Sequence, residues 1–152
     1  MSQTEEERIK AIRKKIKTNR SFRKKLEWYN LGQRRCHCCG IQLHWGSTGS
    51  DQEASVEHMV PVSHGGTYDR PNILIVCRKC NRARGNKSWM QWIDSNDFPK
   101  KEWLLNKYLT AVEFYKSNPK KCRKGKSHKS VFKELKLYQD GKKVLHSIQI
   151  EF

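Results

Sequence analysis

Acidic residues and long apolar runs are both scarce in this chain. Its 152 residues include 15 Asp and Glu against 32 Lys and Arg, which gives a net charge of +17. The longest apolar run, residues 73–77, has five residues, whereas a membrane span needs about 18. We therefore expect no membrane span and a polyanionic partner. The first 25 residues are highly charged and contain no apolar signal segment, which predicts a cytoplasmic protein.

Apolar residues make up only 36% of the chain and charged residues 31%, and the mean hydropathy is −0.92. This composition predicts one domain, or one small domain with extensions, whose core needs a staple or a partner for stability. The chain has six cysteines. In a cytoplasmic protein they favour a metal site over disulfides as that staple.

The excess positive charge lies in the two flanks. Residues 1–35 carry 12 Lys and Arg against 4 Asp and Glu, residues 36–98 carry 6 against 6, and residues 99–152 carry 14 against 5. The middle segment also holds five of the six cysteines. We infer that the flanks supply affinity for the polyanion while the centre performs another task. Solvated basic helix faces without a partner would carry the same charge.

The N-terminal flank predicts two helices. Thr4 opens a capping-box pattern before the first helix. Ser21 is the candidate cap of the second helix, and Gly32 is its expected stop.

The C-terminal flank predicts a helix, a linker and a hairpin. Pro99 fits the first position of a helix that ends near residues 117–119. Residues 120–130 form a basic linker. An Asp-Gly turn between alternating apolar segments predicts a β-hairpin over residues 131–152.

Two C-x-x-C pairs, with 37 residues between them, lie in the middle segment. They are Cys36, Cys39, Cys77 and Cys80. This spacing predicts a four-cysteine structural zinc site, which would supply folding free energy that a small core lacks. Cys38 competes with Cys39 as a ligand, but two intervening residues favour Cys39. Gly40 suits the tight turn after the first pair, and Cys122 is expected to be unpaired.

The segment between the cysteine pairs predicts two strands joined by a loop. Residues 56–61 begin as a short strand and lead into a Gly-Gly loop, and residues 73–76 form an apolar strand. We expect a helix to begin at the second cysteine pair and to run to about Ser95. Strand, loop, strand and helix make a ββα unit.

This combination resembles the HNH endonucleases, a family with the ββα-metal fold. The resemblance covers residues 36–87, about a third of the chain. Its elements, in order, are the first cysteine pair, Glu57-His58, Pro61, Gly65-Gly66, Asn72, the second cysteine pair and Asn81. Both flanks lie outside it.

The resemblance implies a role for four residues. His58 corresponds to the general base that activates water, and Asn72 to the asparagine that orients this histidine and steadies the loop. Glu57 and Asn81 correspond to ligands of a catalytic cation. The family often has Asp and His at these two positions, and the oxygen ligands of Glu and Asn favour Mg²⁺ or Mn²⁺.

The chemistry of these residue types agrees with such roles, but simpler roles exist. An imidazole accepts a proton from water near neutral pH, and a divalent cation stabilises a phosphate and its leaving oxygen together. Alternatively, Glu57 and His58 are surface residues, Asn72 starts a turn, and Asn81 caps a helix.

Seven cations are expected to contact a nucleic-acid backbone. Three follow the second cysteine pair and four lie in the basic linker: Arg82, Arg84, Lys87, Lys120, Lys121, Arg123 and Lys124.

Together these features predict an α+β fold, in which a zinc-stapled ββα-metal module is flanked by basic helices and followed by a β-hairpin. Its parts are a basic helical arm (residues 1–35), the HNH module (36–98), a helix with its basic linker (99–130) and the hairpin (131–152).

The predicted function is that of a metal-dependent endonuclease, of the homing or phage type, that cleaves duplex DNA in a bacterial or phage-infected cell. Zn²⁺ would be structural, and Mg²⁺ or Mn²⁺ catalytic. Two alternatives remain open: a non-catalytic zinc-ribbon protein that binds nucleic acid, and a nuclease that acts on RNA or branched DNA.

Overall fold

The computed structural model describes residues 3–46 and 48–121, and the chain divides into two compact units. The first unit joins the described residues up to Glu57 to the segment Leu74–Gly85. The second joins His58–Ile73 to the described residues from Asn86 onward. The predicted hairpin, Cys122 and the basic linker after residue 121 lie outside the described residues. None of the helices described is long and apolar enough to cross a membrane.

The first unit opens with α1, Glu5–Thr18, which begins at the predicted capping box. The Thr4 hydroxyl accepts a hydrogen bond from the Glu7 amide, and the Glu7 carboxylate accepts one from the Thr4 amide. These two bonds satisfy amides that the first turn of a helix leaves without intrahelical partners. None of the α1 residues is buried, so tertiary packing contributes little to this helix.

The second helix, α2, is Arg20–Asn30. Its predicted cap at Ser21 is wrong, because Asn19 occupies the cap position. The Asn19 side chain accepts a hydrogen bond from the Phe22 amide at 2.9 Å, and its extended backbone separates the two helices. The chain turns after Asn30, where Gly32 has a φ of +92°, as its predicted role as a stop requires.

A two-stranded antiparallel sheet joins β1, Ala54–His58, to β2, Ile73–Cys77. All five residues of β2 are buried, as expected for a continuous apolar run. The helix α3, Arg78–Arg84, follows β2 without a loop. The predicted sequence of strand, loop, strand and helix is therefore present, and the fold is of the α+β type.

The predicted single helix from the second cysteine pair to Ser95 is wrong. It consists of α3 and a separate helix, α4, Trp89–Asp94. Gly85 ends α3 with a φ of +55°, and Ser88 starts α4 through a second capping box, with Gln91. A helix cannot continue through the backbone conformation of Gly85.

The second unit contains α4 and α5, Lys101–Ser117, as well as short 3₁₀ turns at Val62–His64 and Arg70–Asn72. Helix α5 packs against α4 and against the second of these turns. Its buried residues follow the helical period: Leu104, Leu105, Tyr108, Ala111, Val112 and Tyr115.

The bounds of α5 test two predictions made from its sequence. The predicted end near residues 117–119 is confirmed, because α5 ends at Ser117. The predicted start at Pro99 is wrong, because Lys100 is the cap and the first helical residue is Lys101. A final 3₁₀ turn, Pro119–Lys121, contains two of the seven predicted phosphate contacts, Lys120 and Lys121, both exposed.

Candidate functional site

Four cysteines of the first unit form a compact cluster. The Sγ atoms of Cys36, Cys39, Cys77 and Cys80 all lie within 4.8 Å of one another. The Sγ atoms of Cys39 and Cys77 are 3.7 Å apart, close to the roughly 3.8 Å edge of a tetrahedron with Zn–S bonds of about 2.3 Å. The prediction that Cys39, rather than Cys38, belongs to the four-cysteine cluster is confirmed. The cluster is consistent with a structural zinc.

Backbone hydrogen bonds place the two cysteine pairs beside each other. His37 and Ile75 exchange two bonds: the His37 amide donates to the Ile75 carbonyl at 3.0 Å, and the Ile75 amide donates to His37 Nδ1 at 2.9 Å. The Cys77 amide donates to Cys36 Sγ at 3.3 Å, and the Cys80 amide to Cys77 Sγ at 3.4 Å. The first cysteine pair is therefore held against β2, and the sulfurs of Cys36 and Cys77 each accept a hydrogen bond from a backbone amide.

The clustered thiols change one another's ionisation. Hydrogen bonds from Cys38 and Cys80 lower the pKa of Cys36 far below its ordinary value, against the opposing effect of burial. Burial raises the pKa of Cys77 to about 11. The hydrogen bond to Cys36, together with burial, raises the pKa of Cys80. A bound cation would favour ionisation of all four thiols.

A second cluster of the first unit connects Glu57 to Asn81. The Ser55 hydroxyl donates to Glu57 Oε1 at 2.7 Å, and Asn81 Nδ2 donates to the Ser55 hydroxyl at 3.3 Å. Arg84 Nη2 lies 3.1 Å from Glu57 Oε2, and the side chains of this ion pair are only 17% and 13% exposed. The two predicted cation ligands, Glu57 and Asn81, are thus connected by hydrogen bonds through the Ser55 hydroxyl.

Asn81 does not act as a helix cap. It lies inside α3, and the side chain of Cys77 accepts the capping hydrogen bond, from the Cys80 amide. The simpler role considered for Asn81 is therefore wrong.

The basic residues around α3 differ in their partners. Arg82 forms an exposed ion pair with Asp51, whereas Arg84 is paired with Glu57. Lys87, in the second unit, has its Nζ 5.6 Å from the centre of the Trp92 ring. Their proposed contacts with phosphate stay predictions.

In the second unit, Asn72 is completely buried and holds the loop between the strands. Its Oδ1 accepts a hydrogen bond from the Val60 amide at 2.7 Å, and its Nδ2 donates to the carbonyls of Val60 and Thr67 at 3.1 and 3.0 Å. One side chain therefore joins both ends of the loop. Gly66 is required there, because a Cβ would collide with the Val60 carbonyl oxygen.

His58 is half-buried, and both its ring and its backbone are in contact with other side chains of the second unit. Its ring meets the Tyr68 ring edge-to-face, with centroids 4.5 Å apart. The Trp89 indole donates to the His58 carbonyl at 2.8 Å. The amide of the next residue, Met59, donates to the Asn72 carbonyl at 2.9 Å. The Tyr68 ring limits the positions that the imidazole can adopt, and the two hydrogen bonds hold the backbone on either side of it.

Helix α5 also contacts this loop. The Tyr115 hydroxyl accepts a hydrogen bond from the Thr67 amide at 2.8 Å and lies 2.7 Å from the Thr67 hydroxyl. Lys107 donates to the Arg70 carbonyl at 3.0 Å. Burial, and then the charge of Arg70, lowers the pKa of Lys107 to about 8. A segment outside the predicted module thus fixes two points of the loop.

Several residues of these clusters are not predicted from the sequence. Ser55 could be found from strand periodicity, because side chains at positions i and i+2 of a strand share a face and Ser55 lies two positions before Glu57. No local pattern indicates that Tyr115 reaches Thr67, 48 residues earlier. The same holds for the packing of Tyr68 on His58 and for the docking of His37 on β2.

Comparison with protein-family models matches residues 36–87 to the HNH endonuclease family. Comparison with curated proteins and with solved structures gives no match. The matched segment begins at the first cysteine of the cluster and ends three residues after Arg84. It contains both cysteine pairs, the sheet, the loop and α3. HNH nucleases bind nucleic acid. Residues 36–87 of this chain are therefore an HNH endonuclease domain with a four-cysteine cluster that could bind zinc.

Proposed function

We propose that the protein is a metal-dependent endonuclease that hydrolyses phosphodiester bonds in DNA. The observation that carries the proposal is the family match over residues 36–87, because this segment contains all four predicted site residues: Glu57, His58, Asn72 and Asn81. The net charge of +17 supports a polyanionic substrate.

His58 is the proposed general base. An imidazole can accept a proton from water near neutral pH as that water attacks phosphorus. The packing against the Tyr68 ring limits the entropy lost when the imidazole is oriented. Asn72 contributes indirectly, by holding the loop that follows His58.

Glu57 and Asn81 are the proposed ligands of the catalytic cation. The Asn81 amide nitrogen donates to Ser55, so its carbonyl oxygen is left to bind a cation. The Glu57 carboxylate already accepts bonds from Ser55 and Arg84, but its two oxygens offer about four acceptor positions. Oxygen ligands of this kind suit Mg²⁺ or Mn²⁺. A bound cation would stabilise the charge that develops on the phosphate and on the leaving oxygen.

The decisive experiment is cleavage of a long duplex DNA by the purified protein, with and without added Mg²⁺. We expect products only with the cation. His58→Ala should abolish cleavage yet keep the affinity for DNA within about threefold, because a base that acts on water contributes little to ground-state binding. Electrophoresis would measure cleavage, and fluorescence anisotropy would measure affinity.

His64→Ala is the matched control, since it removes a second imidazole from the same loop. This variant should cleave like the wild type. Loss of cleavage, affinity and zinc together in His58→Ala would instead identify His58 as a structural residue. Binding of DNA without cleavage by the wild type would favour the alternative of a non-catalytic zinc-ribbon protein. Faster cleavage of RNA or branched DNA than of duplex DNA would favour the alternative of a nuclease that acts on those substrates.

A further inference from the structure

An open cavity of about 350 Å³ lies in the first unit, and the function proposed above uses only Asn81 and Ser55 of its wall. Its walls come from α2, β1 with the residue before it, and α3. The lining residues are Ser21, Lys25, Glu53, Ala54, Ser55, Val56, Arg78 and Asn81. Two of these elements lie inside the HNH domain, whereas α2 precedes it.

Two cations and one carboxylate line this cavity. Arg78 Nη1 lies 3.9 Å from Glu53 and donates to the Gly49 carbonyl at 2.8 Å. Lys25 is half-buried, and among the residues described no carboxylate lies within 4.0 Å of its ammonium group. The cavity therefore has one positive charge in excess. A partly desolvated ammonium without a counter-ion favours a bound anion.

Polar groups of the cavity connect it to the proposed catalytic residues. Ser55 and Asn81 line the cavity, and both belong to the hydrogen-bonded cluster of Glu57. A nucleic-acid strand carries a phosphate at every nucleotide. If the phosphate that is cleaved lies near Glu57, a neighbouring phosphate of the same nucleic-acid strand would therefore lie close to the walls of this cavity.

We propose that this cavity binds one backbone phosphate of the nucleic-acid substrate, next to the phosphate that is cleaved, with Lys25 and Arg78 as its cationic contacts. The inference rests on the proposed function. It assigns to α2 a specific position on the substrate strand, in place of a diffuse attraction of the basic arm. Neither Lys25 nor Arg78 belongs to the seven cations expected from the sequence to contact the backbone.

Lys25→Gln tests this site, in a His58→Ala background that keeps the DNA intact. Affinity for a duplex oligonucleotide is measured at several salt concentrations. We expect affinity to fall about fivefold to tenfold, and the slope of its logarithm against the logarithm of salt concentration to decrease by about 0.9, as for the loss of one phosphate contact. Zinc content and circular dichroism would show that the variant is folded.

Lys14→Gln is the matched control, because it removes the same charge from an exposed position of α1. Its effect on affinity should be less than half that of Lys25→Gln. Equal effects of the two variants would overturn the inference, since they would indicate a diffuse field. Arg78→Lys, which keeps the charge but loses the two-pronged geometry of a guanidinium, should weaken binding less than Lys25→Gln.

Combining the Lys25→Gln variant with DNA that lacks the charge of one phosphate identifies which phosphate the cavity binds. Single phosphates around the mapped cut site are replaced by neutral methylphosphonates. One replacement should weaken binding of the parent but not that of Lys25→Gln, because the contact is already absent in the variant. Equal sensitivity of both proteins at every position would overturn the inference. Absence of cleavage by the wild type would contradict the proposed function alone, since the comparison of the two lysine variants measures binding.

Discussion

The hydroxyl of Ser55 shows how one small side chain can organise two larger ones. It donates to Glu57 and accepts from Asn81, so each group has a defined orientation before any cation arrives. The ion pair of Arg84 with Glu57 is largely buried, so water screens the attraction between its charges less than in an exposed pair.

Zinc binding can be tested one cysteine at a time. Cys39→Ser should lower the zinc content from about one ion per chain to near zero, because it removes one of four thiolates from the cluster. It should also destabilise the fold, since binding of the metal contributes to folding free energy. Metal analysis by atomic emission and thermal unfolding would measure the two effects.

Cys38→Ser is the matched control for Cys39. Cys38 is the neighbouring thiol and is buried, but it lies outside the cluster of four sulfurs. The variant should keep its zinc even if it loses some stability. A zinc-free, folded wild type would contradict the metal assignment, and equal zinc loss in both variants would place Cys38 among the ligands.

At the scale of elements, α5 acts as a brace for the loop between β1 and β2. The helix lies outside residues 36–87, but Tyr115 accepts the hydrogen bond of the Thr67 amide. The Thr67 carbonyl in turn accepts from Asn72. The loop is therefore held by Asn72 from the strand side and by Tyr115 from the helix side.

Tyr115→Phe tests this brace. The change leaves the Thr67 amide without its acceptor inside the protein, which costs about 1–3 kcal/mol of unfolding free energy. We also expect the single-turnover rate constant of DNA cleavage to fall more than affinity, because the loop follows the proposed base His58 and is not expected to attract DNA itself. Denaturant unfolding would measure stability, single-turnover cleavage the catalytic step, and fluorescence anisotropy the affinity.

Val112→Ala separates loop positioning from general stability. Val112 is fully buried in the same helix, and its truncation should cost about 2 kcal/mol by leaving a cavity. It contributes no side-chain hydrogen bond to the loop, so cleavage at a temperature where the variant is folded should be unchanged. An equal loss of cleavage in both variants would assign the effect of Tyr115→Phe to stability alone.

The sequence predicts elements well where local chemistry determines them. The capping box at Thr4, the apolar strand β2 and the two cysteine pairs each follow from residues that are close in sequence. The break at Gly85 is missed because a lone glycine inside a helical pattern is tolerated in many helices. The ion pair of Glu57 with Arg84 and the bond of Tyr115 to Thr67 depend on tertiary folding, which places residues far apart in sequence beside each other.

At the scale of the whole molecule, charge and chemistry occupy different parts of the chain. The segment of residues 36–98 has no net charge, whereas the flanks carry +8 and +9. The proposed catalytic residues all belong to the neutral segment. This separation predicts that affinity for DNA can be reduced in the flanks without loss of the catalytic step.

Neutralising four cations of the basic linker tests this separation: Lys120, Lys121, Arg123 and Lys124. With all four changed to Gln, affinity should fall equally for all DNA sequences, and the slope against salt should decrease by up to about 3.6, at about 0.9 per lost contact. Cleavage at saturating protein should remain, because Glu57, His58 and Asn81 are unchanged. Anisotropy titrations at several salt concentrations, with single-turnover cleavage, would measure both. An unchanged slope would mean that these residues do not contact phosphate, and the N-terminal helices would then be the remaining candidate for a basic arm that supplies affinity.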